Sequence, residues 1–96
     1  MKLVFSRRSL VRLREIQSWI AYDNVTAAAQ VVSRIRQCAE LLADHPKLGT
    51  VWRNGPTRAL VVSGLPYRIH YRFDEPADRV EVITVAHTSQ QPPSFR

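Results

Sequence analysis

The 96-residue chain is 45% hydrophobic and 23% charged, the proportions of an ordinary folded domain, and its length leaves room for one core only. A lone cysteine, Cys38, excludes an intramolecular disulfide and cysteine metal clusters, and His45, His70 and His87 show no metal-ligand spacing. Lysine plus arginine number 14 against 8 acidic residues, for a net charge of +6, and Lys2 and Lys47 are the only lysines. A GC-rich genome would raise the arginine count, but guanidinium also forks onto phosphate and carboxylate, so the excess fits an anionic partner.

"MKLVF" alternates around Leu3 and Phe5 and predicts a short first strand. From Ser9, the recurrence of Leu10, Leu13, Ile16 and Ile20, with Trp19 beside them, predicts an amphipathic helix ending near Tyr22 with Trp19 in the core. Asp23 or Asn24 then serves as the N-cap of a second helix. Its apolar stripe is Ala28, Val31, Val32, Ile35, Ala39 and Leu42, and His45-Pro46 closes it. Cys38 falls inside this pattern as a small core residue rather than a reactive thiol. So short a link makes the two helices an antiparallel hairpin.

"HPKLGTVWRNGP", with two prolines and two glycines, predicts a loop anchored by Trp52. "TRALVV", "YRIHYRF" and "RVEVITVAH" follow as an antiparallel meander joined by "SGLP" and "DEPAD". The expected domain is therefore α+β, in the order β-α-α-β-β-β over residues 1–96, with a largely antiparallel sheet under a helical hairpin. Pro92-Pro93 predicts a flexible tail over 89–96. No apolar run approaches the roughly 20 residues that cross a bilayer, and "MKLVFSRRSL" lacks a secretory signal's apolar region and cleavage site, so a cytoplasmic protein without membrane contact is expected.

The middle strand carries the densest signal. Tyr67, Ile69, Tyr71 and Phe73 alternate with Arg68, His70 and Arg72, one apolar face against one cationic face. If the tyrosines pack under the helices, the arginines and His70 lie on the sheet's uncovered side, where they would meet an anionic target. Pairing of Arg72 or Arg68 with Glu81, or with Asp74, Glu75 and Asp78, is the plainer alternative.

The ordered set "LVFSRRSL", "DN" before an alanine-rich helix, "RIR..AELLADHPKLG", "TRALVVSGLPYRIHYRF" and "VEVITVAH" resembles the RelE/ParE toxin superfamily of bacterial type II toxin-antitoxin modules over residues 1 to about 88. The resemblance implies a growth-arresting toxin held inactive by a cognate acidic antitoxin in a hetero-oligomer, working without cofactor or metal. RelE-like members cut messenger RNA in the ribosome, and ParE-like members block DNA gyrase without known hydrolytic chemistry. By position, Arg68 matches the superfamily's strand arginine, which contacts the scissile phosphate in the RNases. His87 matches a basic position at the end of the last strand, and Arg58 the arginine that opens the preceding one. These three, with His70 and Arg72, are the candidate target-binding residues.

The departures bear on the branch. Gln90 stands where many members carry a cation, and Phe95 is the nearest aromatic to an absent C-terminal tyrosine. A metal-free RNase needs an acid and a base within reach of the phosphate. Arg68 would hold the phosphate, and His87 or His70 would have to supply the acid or base, because Tyr67 and Tyr71 point to the core. The ParE-like reading, a gyrase inhibitor without hydrolytic chemistry, is therefore expected ahead of a RelE-like ribosome-dependent endonuclease or an inactive toxin-fold binding protein.

Overall fold

A computed structural model describes residues 1–90 of the chain, so the expected tail beyond Gln90, with Pro92-Pro93 and Phe95, lies outside the described residues. The elements are β1 (Lys2–Phe5), α1 (Arg7–Ala21), α2 (Val25–Asp44), β2 (Thr50–Val51), β3 (Arg58–Val61), β4 (Tyr67–Asp74) and β5 (Arg79–His87). Two strand features differ from expectation. The segment after α2 contributes the two-residue edge strand β2, and β1 joins the sheet parallel to β5, giving the order β1-β5-β4-β3-β2. Strands β3 to β5 form the expected antiparallel meander, and β2 adds to it by pairing antiparallel with β3.

Local chemistry explains the helix boundaries. Ser6 caps α1 by accepting the Ser9 N–H, while its hydroxyl donates to the Ile83 carbonyl at 2.6 Å. Ile83 lies where the β4–β5 register slips: His70 faces Thr84 but Tyr71 faces Val82, leaving one extra residue on β5. A bulge of this kind frees a carbonyl, and the cap of α1 takes it up. Asn24, the second of the two N-cap candidates, accepts the Ala27 N–H to begin α2, which stops at His45 before Pro46.

One apolar cluster joins both helices to the sheet: Leu13, Ile16, Ile35, Ala39 and Leu42 pack on Tyr67, Ile69, Tyr71, Val80, Val82 and Val85. The buried line of α1 differs from the expected one. It runs Ser9, Leu13, Ile16, then half-buried Ile20, leaving Leu10 41% exposed and Trp19 on the helix flank at 80% exposure. Ser9 tolerates complete burial because its hydroxyl donates to the Ser6 carbonyl. Cys38 sits half-buried against the cluster, as a core residue should, and burial pushes its thiol above the ordinary range.

Tyr71 ties the loop after α2 to this core. Its hydroxyl donates to the Pro46 carbonyl at 2.7 Å and accepts the Gly49 N–H at 2.9 Å. A Cβ on Gly49 would fall 2.7 Å from both the Tyr71 hydroxyl and the Ala59 carbonyl, so only glycine lets the chain pass so close to β3 and β4. Burial raises the Tyr71 pKa, and the Gly49 hydrogen bond and the Arg58 charge oppose that rise.

Candidate functional site

The five candidate residues do not form one site. Residues opposite one another across the sheet share a face, and the register therefore divides the set. Arg58 lies opposite Tyr71, and His87 opposite Tyr67, on the helix-covered face; Arg68, His70 and Arg72 project from the other.

On the covered face both groups are engaged locally. Arg58 donates to the Gly49 carbonyl at 2.8 Å and stacks over Phe73, with its guanidinium carbon 5.7 Å from the ring centroid. His87 meets Tyr67 edge-to-face at 5.4 Å, and its Nδ1 lies 2.6 Å from the Ser89 hydroxyl. Beside it, Arg12 of α1 donates to the Val85 carbonyl at 3.1 Å and approaches the Gln90 amide oxygen at 3.4 Å. The same oxygen accepts the His87 backbone N–H. Gln90, which stands where the superfamily pattern led to a cation, thus fastens the end of β5.

On the other face Arg72 is paired with Glu81 at 2.9 Å, the plainer alternative raised by the sequence. His70 does not lie open as the strand pattern predicted: it is 0% exposed. The cause is Trp52, whose ring meets the imidazole edge-on at 4.8 Å and 80°. Burial, then the nearby Arg68 and Arg8 charges, lower the His70 pKa to about 4, so the ring is neutral at physiological pH.

The placement of Trp52 follows from its neighbours. Thr50 pairs with Ala59, which pairs with His70, and Trp52 two residues on projects from the same side. The Trp52 N–H donates to the Thr57 carbonyl and the Gly55 N–H returns to the Trp52 carbonyl, closing a turn through Arg53 and Asn54. Both central residues have positive φ, 49° and 56°, the geometry that curls a hairpin tightly. The turn brings Arg53 to the indole at 5.3 Å, and Arg68 reaches the same ring from β4 at 5.0 Å. Neither Arg53 nor Arg68 has a carboxylate within ion-pair distance among the described residues, whereas Arg12 and Arg72 do.

The sequence pointed to Trp52 only as a loop anchor, and to neither Arg53 nor Arg8. The alternation of Thr50 and Trp52 ahead of Asn54-Gly55 was the available signal, since Asn-Gly after alternating residues marks a hairpin. Two prolines and two glycines around it read instead as irregular loop.

With this geometry in hand, comparison with known proteins decides the family. Residues 3–92 match the profile of the ParE toxin of the type II toxin-antitoxin system parDE. The chain belongs to the ParE toxin family. It is 40% identical over 92 residues to a Sinorhizobium fredii protein named "Putative toxin Y4kP", covering 96% of this chain and 93% of that one. Among solved structures it resembles the chromosomal ParDE TA system from P. aeruginosa, with a TM-score of 0.80 at 15% identity over 93% of this chain and 97% of that one. The intact E. coli RelBE toxin-antitoxin complex gives 0.65 at 16% identity over 93% and 98%. At such identities these two likenesses establish the fold alone. Among the described residues of the toxin, no cluster of three or more His, Cys, Asp or Glu could hold a metal ion, and no helix is long and apolar enough to cross a membrane.

Proposed function

We propose that this ParE-type toxin arrests growth in the cytoplasm by inhibiting DNA gyrase, and that a cognate acidic antitoxin neutralises it. The observation that carries the choice of target is the separation of Arg68 from His87 by the thickness of the sheet. A metal-free ribonuclease needs a phosphate-binding cation with an acid and a base on one surface. On the Arg68 face the one histidine among the described residues is His70, buried beneath Trp52 and neutral. Tyr67 and Tyr71 are buried on the far side. Such an arrangement suits a protein that binds its target rather than one that cleaves it. Arg68 and Arg53 are then the target contacts, while Arg58, Arg72 and His87 hold the fold.

The antitoxin has a suitable seat on the helical hairpin. Trp19, Tyr22 and Val25 are 80%, 91% and 73% exposed around the end of α1, and Trp19 borders a groove lined by Ile16, Ile20, Tyr67 and His87. Exposed aromatics beside an apolar groove fit the apolar side of an amphipathic helix. A net charge of +6 favours acidic flanks on that helix.

The test sets two assays side by side. Purified toxin should inhibit gyrase supercoiling or trap a cleaved DNA complex, and leave reconstituted translation running. Cleavage of ribosome-bound message with supercoiling untouched would replace this reading with the endonuclease one.

A further inference from the structure

Among the described residues, the cluster around Trp52 is built unlike the other arginine sites. Two guanidiniums, from Arg53 and Arg68, lie about 5 Å from one indole, which His70 props from beneath. Arg8, in the first turn of α1, is near enough for its charge to act on the same histidine. A guanidinium stacked on a ring keeps its N–H edge free, because the donors radiate in its own plane. Arg53 and Arg68 are also spared the ion pairs that occupy Arg12 and Arg72.

We infer that the Arg53–Trp52–Arg68 cluster, with Arg8 at its margin, binds the phosphodiester backbone of a nucleic acid. The chemistry favours this over an acidic protein segment. Protein interfaces centre on an apolar or aromatic anchor in a dry pocket and are depleted of charge there. Here the one aromatic is already covered by two guanidiniums and an imidazole. Nucleic-acid interfaces are polar and positively charged, and arginine forks onto phosphate oxygens. The inference deepens the proposed function and rests on its assignment of this face to the target: the toxin would touch DNA in the gyrase complex as well as protein.

The test uses full-length toxin carrying Trp19→Phe, which leaves Trp52 as the sole tryptophan. Its emission is titrated with a short DNA duplex, a single-stranded RNA of the same length, inorganic phosphate and a glutamate-rich peptide. The duplex should shift Trp52 emission, with affinity falling about tenfold on Arg53→Ala or Arg68→Ala and unchanged in Arg72→Ala. Each of the two sensitive variants should also reduce the salt slope by about one. Tighter binding of RNA would keep the phosphodiester site and move its source from DNA to RNA. No response to either polymer, phosphate binding as tightly as the duplex, or preference for the glutamate peptide would each overturn the inference. Supercoiling assays on the same variants separate the two proposals. Gyrase inhibition without nucleic-acid binding removes this inference alone; binding without inhibition removes the gyrase reading and leaves the site.

Discussion

Arginine does two different jobs on the two faces of this sheet. On the helix-covered face Arg58 and Arg12 donate to the backbone carbonyls of Gly49 and Val85, holding the loop after α2 and the end of β5 in place. On the opposite face Arg53 and Arg68 stack on Trp52, with no carboxylate in reach among the described residues. The same side chain is a structural tie where a carbonyl terminates its fork and, under the proposed function, a recognition group where no carbonyl or carboxylate does. Charge alone therefore does not mark a site; the partner of each charge does.

Perturbing the covered face should give the largest losses of stability. Gly49→Ala drives a Cβ into the Ala59 carbonyl and the Tyr71 hydroxyl, and a clash with backbone in a packed site is expected to cost at least about 3 kcal/mol. Thermal melting should show a protein folded poorly at 37 °C; a melt within a few degrees of wild type would mean the loop is not held as tightly as described.

Next comes a pH effect seated on the opposite face. Between pH 6.5 and about 4 an unfolded chain carries a proton on His70 that the folded one lacks, so stability rises with pH through that window. The contribution is complete above about pH 6.5, is lost as pH falls towards 4, and changes no further below it. It amounts to at most roughly 3 kcal/mol. Urea titrations at pH 7 and 4.5 should show a steeper loss for wild type than for His70→Leu. Equal losses would mean that His70 gains its proton without disturbing the Trp52 cover.

Tyr71→Phe is a milder cut on the covered face. It leaves the Pro46 carbonyl and the Gly49 N–H without their hydroxyl partner, at about 2 kcal/mol, or roughly 10 °C in Tm. The smallest effect belongs to Arg72→Ala. Its pair with Glu81 is exposed on the arginine side, so stability should change by less than about 1 kcal/mol and growth arrest not at all. Loss of arrest in that variant would draw Arg72 back into the recognition surface.

Much of the fold is legible in the sequence because its periods are clean. Alternation in "YRIHYRF" places Tyr67, Ile69 and Tyr71 in the core, and they are there. The apolar spacing of α2 likewise matches its buried Ala28, Ile35, Ala39 and Leu42. What escaped was non-local. Nothing near Leu3 announces parallel pairing with Val80, some 77 residues away, because β1 reaches β5 only through the packed hairpin. Alternation identifies which face His70 occupies but not that Trp52 covers it, since the cover depends on a turn with two positive φ angles. Arg58 and His87 were singled out by their resemblance to superfamily positions, but that pattern carries no sheet register, and the register puts them on the other face of the sheet from Arg68.

The division of labour among the arginines is tested most directly by measuring melting temperature and growth arrest together in two variants, Arg53→Ala/Arg68→Ala and Arg58→Ala. The double variant should melt within a few degrees of wild type, because half-exposed and exposed side chains contribute little to the core, and should fail to arrest growth. Arg58→Ala should melt lower and retain arrest wherever it remains folded. A double variant that melts normally and still arrests growth as wild type does would contradict the account.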